Sequence, residues 1–311
     1  MSTVVVVGAK GRQGMAQVRR LRADGHTPRA VSRTPGRLDD PELADVEVVA
    51  ADVDDEASLT AAVADADAVL FNHPMQQRHR RVELVERMGR VAHAAGVRRM
   101  VWNTAEWIPD RPGDPYTYGT LTDGINALWR TGVPATIFGP VLFMDNLLTN
   151  WARPFIVGEG RFVYPHNPGL TASWISLDDV AKFMVAALDR PDLEGAWMNL
   201  GGPEKLHGSD VARALSAALG REIVYDPCTP EEFGRYLVSA FGDDIPPEAR
   251  RPFAKTIEDF YVYNNTSPTQ PFDVDMGPVL RRIPMELETL AEWAARQDWT
   301  EDESRTRPSG G

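Results

Sequence analysis

The chain has 311 residues, 43% of them hydrophobic and 25% charged, a composition that suits a globular protein with a full core. A formal net charge of −12 argues against nucleic acid or an anionic membrane as the main partner, since either demands a cationic face. Cys228 is the only cysteine, which excludes an internal disulfide and a cysteine-rich metal site; it reads as a packing residue.

Thr3 to Val7 is a β-branched run, and Gly8-Ala9-Lys10-Gly11-Arg12-Gln13-Gly14 follows it directly. An amphipathic stretch with Met15, Val18 and Leu21 comes next, so the segment reads strand, glycine turn, helix. Gly8, Gly11 and Gly14 are either plain turn residues or a cradle in which main-chain N–H groups approach a pyrophosphate. The strand-to-helix context favours the cradle. The second strand is expected from Thr27 to Arg33 and ends 19 residues beyond Gly14, where an NAD site would present an acid to the ribose. This chain has Ser32-Arg33 there instead. Arg33 is either a solvated strand end or a partner for the 2′-phosphate of NADP, with Lys10 and Arg12 adding charge, and NADP(H) is the expected cofactor.

Val46 to Ala50 is a third strand; Asp52 and Val53 beyond it are placed at the adenine, while Asp54 and Asp55 are as readily the cap of a helix over Ala57 to Ala64. Ala68 to Asn72 is a fourth strand ending in Asn72-His73-Pro74, which would run along the pyrophosphate and nicotinamide ribose. His73 is either a proton donor there or a loop residue bonded to backbone. His79 and His93 fall on the next expected helix, whose buried face is Val82, Val85, Met88, Val91 and Ala95. A fifth strand, Arg99 to Asn103, leads into Thr104-Ala105-Glu106-Trp107, a wall for a substrate. Tyr116 and Tyr118 open a helix to about Thr131. Thr136 to Gly139 is a sixth strand, and Pro140, Val141, Phe143 and Asn146 follow on a cofactor-facing loop. Trp151, His166 and Trp174 suggest a lobe over the nicotinamide end.

Ser176-Leu177-Asp178-Asp179 has capping-box spacing before another helix. Trp197 to Leu200 and Ile223 to Tyr225 read as strands. Helices are expected around Val211 to Leu219, from Glu231 to Phe241 and, last, from Glu286 to Gln297. The fold class is α/β: a doubly wound parallel sheet of Rossmann type with a smaller C-terminal α/β substrate lobe. Residues 1–150 would form the NADP(H)-binding domain with 174–202 packed back onto it, residues 151–299 mostly the substrate lobe, and 300–311 a flexible tail. No signal peptide or membrane-spanning stretch, zinc spacing, repeat or serine-nucleophile elbow is read, so a cytoplasmic monomer or homodimer without a metal is expected.

These residues resemble the NmrA-like branch of the atypical short-chain dehydrogenase/reductase superfamily. The resemblance rests on the 8–14 loop, Ala51-Asp52-Val53, Gly132 to Ile137, Gly139 to Leu148 and Ile175 to Ala181. It implies a Rossmann domain for NADP(H), with a lobe roofing the nicotinamide. It also implies one of two activities, reduction of phenylpropanoids, quinones or dyes, or dinucleotide binding without turnover in a redox-sensing regulator. Carried over, Gly8, Lys10, Gly11, Arg12, Gln13 and Gly14 would hold the phosphates, Arg33 the 2′-phosphate, and Asp52 and Val53 the adenine. Asn72, His73, Pro74, Asn103 and Thr104 would meet the ribose and nicotinamide, with Pro140, Val141 and Phe143 beside the ring.

The superfamily's Tyr-x-x-x-Lys pair is absent, because Thr120 and Thr122 stand four residues after Tyr116 and Tyr118. Tyr118, Tyr116 and Thr104 are the catalytic candidates, with Glu106 and His166 as further proton donors. Glu106, Trp107, Tyr116, Tyr118, Phe143, Asn146, Trp151, His166 and Trp174 would line a pocket for a flat aromatic or conjugated small molecule. Two functions follow: an NADPH-dependent reductase of a quinone- or enone-like substrate, or a non-catalytic NADP(H) sensor acting through a protein partner.

Overall fold

Five consecutive apolar or β-branched residues can be buried on both faces only in a sheet covered by helices on each side, and Val4 to Val7 are 0–3% exposed at its centre. The computed structural model describes residues 1–34, 36–109, 116–242 and 245–300, without the side chains at 75, 76, 116 and 117. The described strands are β1 (Thr3–Val7), β2 (Thr27–Ser32), β3 (Glu47–Ala50), β4 (Ala68–Asn72), β5 (Arg99–Asn103), β6 (Ala135–Pro140), β7 (Arg161–Tyr164), β8 (Trp197–Leu200) and β9 (Val224–Pro227). Seven of them form one parallel sheet in the order β3-β2-β1-β4-β5-β6-β8. The order reverses between β1 and β4. That is the switch point where loops diverge and a crevice opens at the carboxyl edge.

The helices are α1 (Arg12–Ala23), α2 (Glu56–Val63), α3 (Arg81–Ala94), α4 (Tyr116–Arg130), α5 (Leu177–Ala186), α6 (Gly208–Leu219), α7 (Pro230–Phe241), α8 (Pro247–Thr266), α9 (Gly277–Arg282) and α10 (Leu290–Ala295). Several start where the sequence supplies a cap. Asp55 accepts from Ala57 N, Ser176 from Asp179 N, and Thr229 and Thr289 exchange bonds with Glu232 and Glu292. On the sheet α1 packs against α5 and α3 against α4, while α7 packs against α8 in the C-terminal part.

Four expectations are corrected. The second strand stops at Ser32, which leaves Arg33 in the turn beyond it. The strand expected at 223–225 is β9, and it pairs with the unpredicted β7 in a separate two-stranded sheet. The last helix covers only Leu290–Ala295, because Thr289 caps it. His79 lies in a 3-10 turn, Met75–Arg80, ahead of α3. The 20-residue α8 was not expected; Tyr261 and Asn264 are buried on it, and Phe253, Ile257 and Phe260 at helical spacing pack half-buried against the core. Positions 301–311, assigned to a flexible tail, lie outside the described residues.

Candidate functional site

The glycine loop is shaped by backbone geometry. Gly8 has φ +77°, and its carbonyl accepts from Gly11 N at 3.1 Å. A Cβ on Gly14 would stand 2.3 Å from Gly8 O and 2.6 Å from Ala9 Cα, so only hydrogen fits there. Gly11 is the N-cap of α1, makes no side-chain cap bond, and no acid follows in the first turn. A 12-residue helix therefore opens with main-chain N–H groups that no side chain caps among the described residues, its positive dipole end at the switch point. That donor set fits a pyrophosphate.

Around it, Lys10 Nζ donates to Thr34 O at 2.9 Å and so fixes a charge beside the exposed Arg33. Arg12 Nη1 donates to Asp145 O at 2.6 Å, joining the loop to the segment after β6. Asp52 is turned into its own loop, where Oδ1 accepts from Asp54 N at 2.9 Å. Val53 is half-buried, and its carbonyl accepts from Arg87 at 2.8 Å.

The crevice floor is a chain of amides at the ends of β1, β4 and β5. Asn72 Nδ2 donates to Val7 O at 2.9 Å, and Asn72 and Gln17 exchange bonds of 2.7 and 2.8 Å. Asn103 Nδ2 donates to Gln13 Oε1 at 2.5 Å, and Asn103 Oδ1 accepts from Ala105 N at 2.8 Å. Ala105 has φ +55°. For an alanine this left-handed conformation is strained, and the Asn103 amide holds it in place. Gln17 was not expected in the site; its signal was a polar residue inside the apolar stripe of α1.

The strained turn sends Glu106 inward. It is 5% exposed, with Arg81 Nη2 at 2.8 Å and Arg78 Nη2 at 2.5 Å. Arg81 is 1% exposed and also donates to Thr120 Oγ1 at 2.8 Å. Neither arginine was expected here. A charge on the buried face of α3, one turn before Leu84 and Val85, was the available signal.

Few of the proton-donor candidates keep a free proton. Thr104 gives its hydroxyl hydrogen to Glu106 O at 2.6 Å. Tyr118 is fully buried, donates to Asn264 Oδ1 at 2.9 Å and packs edge-on against Trp107 at 5.3 Å, and burial raises its pKa far above the usual phenol range. His73 bonds Gln77 O at 3.1 Å through Nε2, and burial, then the charge of Arg81, pushes its pKa down to about 4. His166 is buried among Tyr164, Trp174, Tyr261 and Phe272, and burial pushes it down to about 3. The Tyr116 side chain lies outside the described residues.

The other expected pocket residues, beyond Glu106, Trp107, Tyr116 and Tyr118, fall into two groups. Trp174, His166 and Trp151 join Tyr164 and Phe233 in an aromatic cluster, with Trp174 1% exposed. Phe143 and Asn146 are half-buried on the segment after β6, where Pro140 ends the strand and Val141 N donates to Leu200 O at 3.0 Å. A separate polar cavity of about 350 Å³ lies between residues 167–171 and 264–272. Its lining residues Asn264 and Phe272 connect to Trp107 through Tyr118, Asn264 directly and Phe272 by way of Phe260.

The NmrA-like family model matches residues 1–294. An NAD(P)H azoreductase of Xenophilus azovorans is 32% identical over 74% of this chain and 78% of its own length. Among solved structures, an NADPH-dependent quinone oxidoreductase of Escherichia coli in complex with NADPH superposes with a TM-score of 0.73 at 19% identity, covering 94% of this chain and 98% of that one. NmrA, a negative transcriptional regulator, in complex with NADP superposes with a TM-score of 0.73 at 19% identity, covering 95% of this chain and 94% of its own. The fold is shared with the two solved structures, and the family-model match over nearly the whole described length shows that the chain belongs to the NmrA-like family.

Proposed function

We propose that this chain is an NADP(H)-dependent reductase of a conjugated, electron-poor small molecule, working without a tyrosine–lysine acid. The observation that carries the reading is the uncapped N-terminus of α1 at the β1/β4 switch point, beside strand ends where the described candidates hold no poised acid. Azo and quinone groups, the acceptors in the names of two similar proteins, are both π systems that take a hydride at an electrophilic atom.

When bound, the cofactor supplies the hydride; the chain supplies position. In this reading the N–H groups of Arg12 and Gln13 hold the pyrophosphate. Arg33 and Lys10 meet the 2′-phosphate, and Asp52 and Val53 flank the adenine. Asn72, His73, Pro74, Asn103 and Thr104 border the ribose and nicotinamide, with Pro140, Val141 and Phe143 beside the ring. Trp107 and Phe143 offer the flat apolar contact for the substrate. With Thr104, Glu106, Tyr118, His73 and His166 all committed, the reduced acceptor takes its proton from water, which a quinone or azo product with stabilised negative charge permits.

The test is NADPH consumption by purified protein with a panel of quinones, enones and azo dyes. Turnover with NADPH, and less with NADH, is expected. Tight cofactor binding with no turnover across the panel overturns the reading in favour of a non-catalytic NADP(H) sensor, which the likeness to a transcriptional regulator and the committed acids favour. The sensor reading in turn requires NADPH and NADP+ to bind with different affinities, and calorimetry showing equal affinities removes it.

A further inference from the structure

Lys10 and Arg12 leave the glycine loop in opposite directions. Lys10 Nζ donates to Thr34 O beyond β2, on one side of β1, whereas Arg12 Nη1 donates to Asp145 O beyond β6, which lies on the other side of the switch point. The Arg12 guanidinium is therefore parted from Arg33 and from the corner expected for a 2′-phosphate. Arg12 is also the first residue of α1, where the helix dipole favours an anion and opposes a cation. Its bonded partner is a neutral carbonyl, and the Asp145 carboxylate turns instead to Leu177 N at 3.0 Å. Solvent reaches the Arg12 side chain, yet the crevice walls strip enough water from it to hold its pKa below the ordinary value, which the nearby Asp145 charge offsets in part. The arm that carries Asp145 is fixed: Met144 N donates to Ile175 O at 3.0 Å, Ile175 N donates to Leu142 O at 2.9 Å, and α5 behind it packs on α1.

Resting on the glycine-turn site of the reductase reading, we propose that the Arg12 side chain binds the cofactor pyrophosphate and that Asp145 is its positioning residue, tempering the guanidinium so that the spent nucleotide leaves. The Asp145 carbonyl fixes where the guanidinium lies beside the α1 N-terminus. The carboxylate, pinned by Leu177 N, sets how strongly that guanidinium attracts phosphate oxygens. A reductase that oxidises one cofactor per turn needs the oxidised form to depart, and an acid beside the phosphate-binding cation serves that exchange. Because the guanidinium acts on the pyrophosphate, its contribution is the same for NADP+ and NAD+, and selection between them stays with the β2 side of the loop.

The experiment is a double-mutant cycle read by calorimetric titration with NADP+ and with NAD+, and by stopped-flow release of NADP+. Arg12→Gln should weaken both nucleotides about tenfold and leave their ratio unchanged, and Arg12→Lys should recover part of the loss. Asp145→Asn, which keeps an oxygen for Leu177 N and loses the charge, should tighten both about threefold and slow release. In the Arg12→Gln background Asp145→Asn should have no effect. Unchanged affinity in Arg12→Gln, a loss confined to NADP+, equal or weaker binding in Asp145→Asn, or an Asp145→Asn effect that persists without Arg12 overturns the inference. Each of these leaves the glycine-turn site standing when Gly14→Ala abolishes binding, whereas a Gly14→Ala protein that binds both nucleotides normally removes that site and the inference with it.

Discussion

A methyl group at position 14 would stand 2.3 Å from Gly8 O, inside any permissible contact, and both partners are backbone. Gly14→Ala must therefore displace the turn. Loss of NADPH binding is expected, with about 1–3 kcal/mol of destabilisation, read from fluorescence titration and the urea midpoint. A variant that binds NADPH normally would show that the crevice is elsewhere. In the proposed site Arg33 would act by charge and not by shape: it lies exposed in the turn after β2, next to the Thr34 carbonyl that holds Lys10. Arg33→Asp would put a carboxylate where the proposed site receives the 2′-phosphate, so the ratio of NADP+ to NAD+ dissociation constants should reverse toward NAD+. An unchanged ratio would pass the selecting role to another cation. At Cys228 burial pushes the thiol pKa up to about 12, so a thiol reagent should leave it unmodified at neutral pH while the fold is intact. Rapid labelling of the native protein would contradict that placement.

At the scale of elements, the turn after β5 concentrates the chemistry. Asn103 reaches down to Gln13, Ala105 takes a left-handed backbone, and Glu106 is delivered to two arginines within three residues. Ala105→Gly relieves the backbone strain, and the urea midpoint should rise by an amount equivalent to up to about 1 kcal/mol. A lower midpoint would mean that the methyl group's packing outweighs the strain. This turn was legible only in part. Asn103, Thr104 and Glu106 stood out as polar residues at a strand end, but the reach to Arg81, 25 residues earlier, exists only because β4 and β5 are neighbours.

For the molecule as a whole, the buried histidines set an acid limit. His73 and His166 are held neutral, with pKa values pushed down to about 4 and about 3, below the ordinary 6.5 that they regain when the chain unfolds. Between pH 6.5 and about 4 the unfolded state therefore binds protons that the folded state refuses. Stability is full above that window and falls through it, by up to about 1.4 kcal/mol per pH unit for each histidine. His166→Phe keeps an aromatic ring in the cluster and cannot titrate. Its urea midpoint should drop less than that of the unmodified protein between pH 7 and pH 5, and parallel drops would show that His166 does not carry the acid limb.

The strand-turn-helix opening, the succession of parallel strands along the chain and the starts of α2, α5 and α7 were written locally. Apolar runs, glycines without Cβ and capping side chains act over a few residues, and each leaves a readable pattern. The β7–β9 pairing, the packing of α8 on α7 and the committed state of Tyr118 and His166 were decided by tertiary contacts, because burial and hydrogen-bond partners come from segments far apart in the chain. The same reason hid the arginine pair around Glu106: a charge buried by folding looks, in one dimension, like any solvated charge.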